Sequence, residues 1–110
     1  MTSPPSTIDL YWRPGCGFCM ALQRQIDKHG ITVAKHNIWD DPEAAAHVRS
    51  VANGSETVPT VTVGDHSLVN PSIRALLAFV TESAPHLLPP DHEPPEPTKV
   101  GRIMGRILGD

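Results

Sequence analysis

Trp12-Arg13-Pro14-Gly15-Cys16-Gly17-Phe18-Cys19 holds the only two cysteines of a 110-residue chain and joins two different sequence patterns. Upstream, Thr7-Ile8-Asp9-Leu10-Tyr11-Trp12 alternates polar and apolar side chains as a strand does. Downstream, apolar residues recur at helical spacing from near Gly17, with Pro14-Gly15 as the punctuation between the two. The cysteines therefore fall at a strand-to-helix junction. Residues i and i+3 of a helix share a face, which puts Cys16 at the first exposed turn and Cys19 one turn deeper, within bonding reach.

Unpaired backbone N–H groups and the macrodipole at a helix N-terminus favour the thiolate, the reactive form of cysteine. Arg13 adds positive charge nearby, so Cys16 is expected to attack and Cys19 to act as the resolving thiol. A disulfide closing so short a loop constrains the unfolded chain little and suits a redox couple better than a structural staple. Zinc would ask for further ligands, and of His29, His36, His47, His66, His86 and His92 only His86 and His92 have a His-x3-to-5-His spacing, within a proline-rich stretch far along the chain from the cysteines. The histidines are read as surface residues and no metal is expected.

Outward from the motif, residues 18–29 read as a helix with Leu22 and Ile26 on its apolar side and Gly30 at its end. Ile31-Thr32-Val33-Ala34 begins a second strand running toward Asn37, as its β-branched residues favour. Asp40-Asp41-Pro42-Glu43 opens a second helix that Ala44, Ala45, Ala46, Val48 and Val51 carry to Asn53-Gly54. Capping accounts for those acids without a ligand. Thr57-Val58-Pro59-Thr60-Val61-Thr62-Val63 is a third strand headed by proline, and Gly64-Asp65 turns it into His66-Ser67-Leu68-Val69. Asn70-Pro71-Ser72 opens a last helix with a stripe of Ile73, Leu76, Leu77 and Val80. The order is β-α-β-α-β-β-α, an α/β domain.

With 39% hydrophobic residues the chain can bury one small core, and a net charge of −3 gives no electrostatic case for nucleic acid. The start of the chain lacks the apolar stretch of a secretory signal and no segment reaches membrane-spanning length, so the expected compartment is the cytoplasm, where disulfides are transient and catalytic. Residues 1–6 are expected to be a flexible N-terminus and 7–84 the folded domain. Residues 85–98 read as an acidic, proline-rich linker, and 99–110 as a short amphipathic basic tail open to a partner. Val100, Ile103, Met104, Ile107 and Leu108 form the tail's stripe, with Lys99, Arg102 and Arg106 on other faces.

This order, with Cys-x-x-Cys after the first strand and a lone proline before the third, resembles the thioredoxin-like fold and, within it, the glutaredoxins, over roughly residues 7–84. Arg13, Phe18 and Thr57-Val58-Pro59 match glutaredoxin positions. The resemblance implies a four-stranded mixed sheet flanked by helices and a cis Val58–Pro59 bond. It also implies that the backbone beside that bond faces Cys16 and pairs with the cysteinyl part of a bound thiol. Arg13, Phe18, Thr57, Val58, Pro59 and Asn70 would form the thiol site.

Two departures narrow the likeness. Common dithiol glutaredoxins carry proline where this chain has Gly17, and a Gly-Gly and acidic motif where it reads Leu68-Val69-Asn70-Pro71-Ser72. Cys16-Gly17-Phe18-Cys19 with Thr57-Val58-Pro59-Thr60-Val61 and Asn70-Pro71-Ser72 is more similar to the actinobacterial mycoredoxins, which work with mycothiol in place of glutathione. Six arginines against three lysines fit a GC-rich source. The likeness implies a monomeric thiol-disulfide oxidoreductase without a tightly bound cofactor, using mycothiol (or glutathione) as co-substrate on thiolated or oxidised proteins. Its route is monothiol, with Cys16 as nucleophile. Two alternatives stand beside it. One is a dithiol reductase of the thioredoxin type, or an electron donor to ribonucleotide reductase. The other is a [2Fe-2S] carrier or sensor held by Cys16 and a thiol from each of two chains, against which Cys19 stands where cluster carriers usually have serine.

Overall fold

Alternation along Ile8–Trp12 produces β1, an interior strand of the computed structural model, which describes residues 5–89. On one side β2 (Ala34–Asn37) pairs with it in parallel, with Tyr11 opposite His36. On the other side β3 (Thr60–Val63) pairs antiparallel, with Tyr11 opposite Thr60, and β4 (His66–Val69) closes the order β2-β1-β3-β4. Helices α1 (Gly17–Lys28), α2 (Pro42–Val51) and α3 (Ile73–Ser83) complete the expected β-α-β-α-β-β-α order.

Two buried clusters show why the sheet is stable. Ile8, Leu10, Val61 and Val63 meet Leu22 and Ile26 of α1 and Leu76, Leu77 and Val80 of α3. Tyr11 and Ile38 meet Ala44, Ala45 and Val48 of α2 in the other. Helices thus cover both faces, which is why Thr60-Val61-Thr62-Val63 is buried at every position although its polarity alternates. Each fully buried Leu, Ile or Val contributes about 1.5–3 kcal/mol relative to exposure.

Local chemistry sets the element ends. Gly30 adopts φ +70°, Gly30 N–H donates to the Asp27 carbonyl, and Ile31 N–H donates to the Ile26 carbonyl, a Schellman closure of α1. That closure commits Ile31 to the helix end and the core, so β2 begins at Ala34 rather than at Ile31 as expected. Asp41 caps α2 by accepting from Glu43 N–H (3.0 Å) and Ala44 N–H (3.2 Å), with Pro42 following as the first helical residue. Ser72 caps α3 by accepting from Ala75 N–H at 3.0 Å.

Residues 85–87, expected within the extended linker, instead form a 3-10 turn that follows the buried Ala84. Leu87 and Leu88 pack against the first cluster, which gives this segment an apolar reason to stay. His86 Nε2–H donates to the Pro5 carbonyl at 2.7 Å, tying that turn to a residue expected in the flexible N-terminus. The expectations for residues 1–4, for the rest of the acidic stretch and for the basic tail lie outside the described residues. No helix among the described residues is long and apolar enough to cross a membrane.

Not all the histidines are the surface residues expected. His36 and His47 are half-buried and flank Tyr11, with ring centroids 4.9 and 4.8 Å away. His36 Nε2 lies 2.9 Å from an Asp9 carboxylate oxygen, and His47 Nε2 lies 2.8 Å from Thr62 Oγ1, which in turn is 2.7 Å from Ser67 Oγ. Burial pushes the Tyr11 phenol above its ordinary value near 10.0, and the nearby carboxylates of Asp9 and Asp41 push in the same direction. The fold therefore favours the neutral phenol. Its contribution to stability is fully present below pH 10.0 and is lost as pH rises through the higher folded value. Because Tyr11 is the only tyrosine, absorbance titration of its phenolate should give a midpoint above 10.0 in the folded protein. Tyr11→Phe should flatten the loss of unfolding free energy above that pH, and an ordinary phenol midpoint together with an unchanged slope would refute the assignment.

Candidate functional site

Three connections meet at the end of the sheet where β1 finishes. Residues 13–16 leave β1, Thr57-Val58-Pro59 lead into its antiparallel neighbour β3, and Asn70-Pro71-Ser72 leave β4. Gly15, at φ +75°, turns the chain from strand to helix. Cys16 is the N-cap of α1, and its Sγ accepts from Cys19 N–H at 3.1 Å. No acidic side chain stands in the first turn of α1, so nothing there opposes the positive helix end. A helix N-terminus with a backbone N–H directed at the sulfur is the kind of environment in which reactive cysteines sit.

Cys16 and Cys19 are joined as a disulfide with Cα atoms 5.2 Å apart. Cys19 is fully buried, as the helical spacing predicted, but Cys16 is only 6% exposed rather than open to solvent. The loop before β3 shields it: Cys16 Sγ lies 3.8 Å from the Val58 carbonyl oxygen. The Val58–Pro59 peptide is cis and Pro59 is buried. Thr57 accepts the Thr60 hydroxyl at its carbonyl (2.8 Å), and Asn70 N–H donates to the Pro59 carbonyl at 2.6 Å. Asn70 holds φ +52°, a left-handed conformation that asparagine tolerates, and so turns the chain from β4 over Pro59.

Between α1 and the start of α3 runs a groove of about 190 Å³ lined by Phe18, Ala21, Leu22 and Gln25 from α1 and by Asn70, Pro71, Ser72 and Ile73. Phe18 is 73% exposed and forms one wall of it. Of the residues expected around the thiol, Phe18 and Asn70 meet in this groove and Val58 meets Cys16. Arg13 is not in the groove's lining. Its Nη1–H donates to the Pro14 carbonyl at 3.0 Å and its guanidinium lies over the Trp39 ring, 5.5 Å from the centroid.

The arrangement provides one sulfur at a helix N-terminus, a second sulfur one turn on and bonded to it, and a groove that starts at Phe18, which lies between the two cysteines in the chain. The glutaredoxin family profile matches residues 8–68, with both cysteines and Pro59 inside the match. The chain belongs to the glutaredoxin family. As a glutaredoxin it is a thiol-disulfide oxidoreductase whose redox pair is Cys16 and Cys19. Proteins described as glutaredoxins in two strains of Mycobacterium tuberculosis are 35% identical over 80 residues, covering 72% of this chain and 95% of theirs. NrdH-redoxin of Escherichia coli, a glutaredoxin-like protein with a thioredoxin-like activity profile, is 33% identical with a TM-score of 0.51, covering 58% of this chain and 82% of that one. The thioredoxin-like protein BC3987 superposes with a TM-score of 0.61 at 17% identity, covering 69% and 96% of the two chains. These likenesses place the glutaredoxin domain in the thioredoxin-like fold.

The motif reading missed Trp39. It stands in the connection Asn37-Ile38-Trp39-Asp40-Asp41, of which only the two aspartates carry a reading, as helix capping. The available signal was topological: a strand parallel to β1 must end at the same edge as β1, and so must the large aromatic that follows it.

Proposed function

We propose that this glutaredoxin reduces mixed disulfides between proteins and a low-molecular-weight thiol, with mycothiol preferred, by a monothiol route in which Cys16 is the nucleophile. The observation that carries the reading is the position of Cys16 Sγ at the N-cap of α1, 3.8 Å from the Val58 carbonyl oxygen, with the Phe18–Asn70 groove starting two residues along the helix. The Cys16 thiolate attacks the thiol's sulfur. The bond between that sulfur and the protein breaks, and the protein cysteine leaves as a thiolate that takes a proton from water. A second free thiol then attacks the thiol held on Cys16, forming the thiol's own disulfide and restoring the Cys16 thiolate. Thr57, Val58 and Pro59 present the backbone to the thiol's cysteinyl part, and Phe18 and Asn70 hold the rest.

Mycothiol is supported by the groove's character. Its lining has no charged side chain but offers the Gln25 and Asn70 amides and the Ser72 hydroxyl. An uncharged, hydroxyl-rich thiol matches such a lining better than glutathione, whose carboxylates and ammonium would be left without counter-charges there.

The test is steady-state reduction of a mixed disulfide by Cys19→Ser, with mycothiol or glutathione as the regenerating thiol. Retained turnover with mycothiol, and at least about tenfold less with glutathione, is expected. Failure with both, in a folded variant whose parent still reduces a protein disulfide, would promote a second reading: a dithiol protein reductase or electron donor. The likeness to NrdH-redoxin and the close Cys16–Cys19 pair favour that alternative. The iron-sulfur reading is weakened because Cys19 competes for the sulfur a cluster would need.

A further inference from the structure

The large apolar side chains exposed among the described residues are Phe18, Met20, Trp39 and Val69. Phe18 and Met20 lie in the first turn of α1, Trp39 follows β2, and Val69 ends β4. β2 is parallel to β1, and β4 is antiparallel to the antiparallel β3, so all four lie at the end of the sheet that carries the disulfide. Apolar surface gathered around a reactive sulfur marks a face that meets another macromolecule.

Its two sides differ. Phe18 lines the uncharged groove and Val69 directly precedes its Asn70, whereas Trp39 is 62% exposed and carries the Arg13 guanidinium over its ring. Stacking on Trp39 and the bond to the Pro14 carbonyl hold that guanidinium in place. Its charge has no carboxylate partner among the described residues, although two aspartates follow Trp39. Those are engaged elsewhere: Asp40 accepts from the Asn37 amide at 3.1 Å, and Asp41 caps α2. The guanidinium rests beside Gly15, the residue before Cys16, where a Cβ would lie 3.8 Å from Arg13 Nη1.

We propose that Trp39 and the Arg13 guanidinium stacked on it form the docking point for a polypeptide substrate whose reacting cysteine is flanked by aspartate or glutamate. The inference rests on the mixed-disulfide reading and assigns the two ends of that substrate. The low-molecular-weight thiol occupies the Phe18–Asn70 groove, and the polypeptide leaves over Trp39. A carboxylate beside the cysteine pairs with the fixed guanidinium fork, and a neighbouring apolar side chain covers the indole. Arg13 thereby serves the protein end of the substrate rather than the thiol end.

The test uses the full chain and three short peptides that differ only in having Asp, Ala or Lys beside the cysteine, each joined to the same low-molecular-weight thiol. The kcat/KM for the Asp peptide should exceed that for the Lys peptide by roughly tenfold. The ratio should fall to about one in Arg13→Gln, should drop in Trp39→Ala, and should survive in Trp39→Phe, which keeps an aromatic face for the guanidinium. Equal turnover of the three peptides overturns the inference, as does an Asp-to-Lys ratio that persists in Arg13→Gln. Reduction of a small non-peptide mixed disulfide with none of the peptides accepted also overturns it while leaving the oxidoreductase reading intact. Failure on every mixed disulfide brings down the mixed-disulfide reading itself.

Discussion

Cys16→Ser is expected to lower turnover of a mixed disulfide by more than about a thousandfold, to the rate of the free thiols alone. The helix N-terminus and the Cys19 N–H can stabilise a thiolate at this position, but no comparable help brings a serine hydroxyl to its anion near neutral pH. Cys19 cannot substitute, because it is fully buried one turn inside α1 and its side chain faces the core. Initial rates on one mixed disulfide, measured for the parent, Cys16→Ser and Cys19→Ser, separate the two sulfurs. Retention of more than about a tenth of the parent rate by Cys16→Ser, with Cys19→Ser inactive, would reverse the assignment of nucleophile and resolving thiol. Alkylation gives an independent check: the reduced parent should react rapidly at one cysteine, and Cys16→Ser should react slowly because only the fully buried Cys19, away from the helix end, remains.

Sequence patterns located those features whose causes are local. Asp41-Pro42 and Ser72 announce helix starts because a short polar side chain can accept from N–H groups two or three residues on, and both do so here. Cys16 and Cys19 were legible because their spacing and the helix start are both written in one stretch. Features that depend on what covers a surface were not. Ile31 looks like the first residue of a strand, yet its N–H closes α1 and its side chain joins the core. His36 and His47 look solvent-facing along their own elements, but Tyr11 projects between them once β2 pairs with β1 and α2 covers the sheet. Arg13 stands three residues before Cys16, and nothing in that stretch announces where its guanidinium rests. In the fold its guanidinium finds an aromatic face twenty-six residues away in sequence, and only the parallel pairing of β1 with β2 brings the two together.

The buried stripe of α1 also holds the helix that carries Cys16 at its cap, and Ile26→Ala should show how much of the domain's stability rests on that stripe. Ile26 is fully buried between α1 and the sheet, one face-repeat along the helix from Leu22 and two from Cys19. Truncating it removes apolar contact and leaves a cavity, at a cost of about 2–5 kcal/mol, a large fraction of the roughly 5–15 kcal/mol that holds a domain folded. Arg24→Ala, on the exposed side of the same helix, should change stability by no more than about 0.5 kcal/mol. Urea unfolding of both variants gives the comparison, with equal slopes confirming that the unfolded states are alike. A loss below about 1 kcal/mol for Ile26→Ala would mean that α1 is held by its ends, through the Cys16 cap and the Gly30 closure, rather than by its buried stripe. If the stripe holds it, Ile26→Ala should retain the parent rate per folded molecule at temperatures where it remains folded, because the cap that activates Cys16 lies at the far end of the helix and does not contact the new cavity.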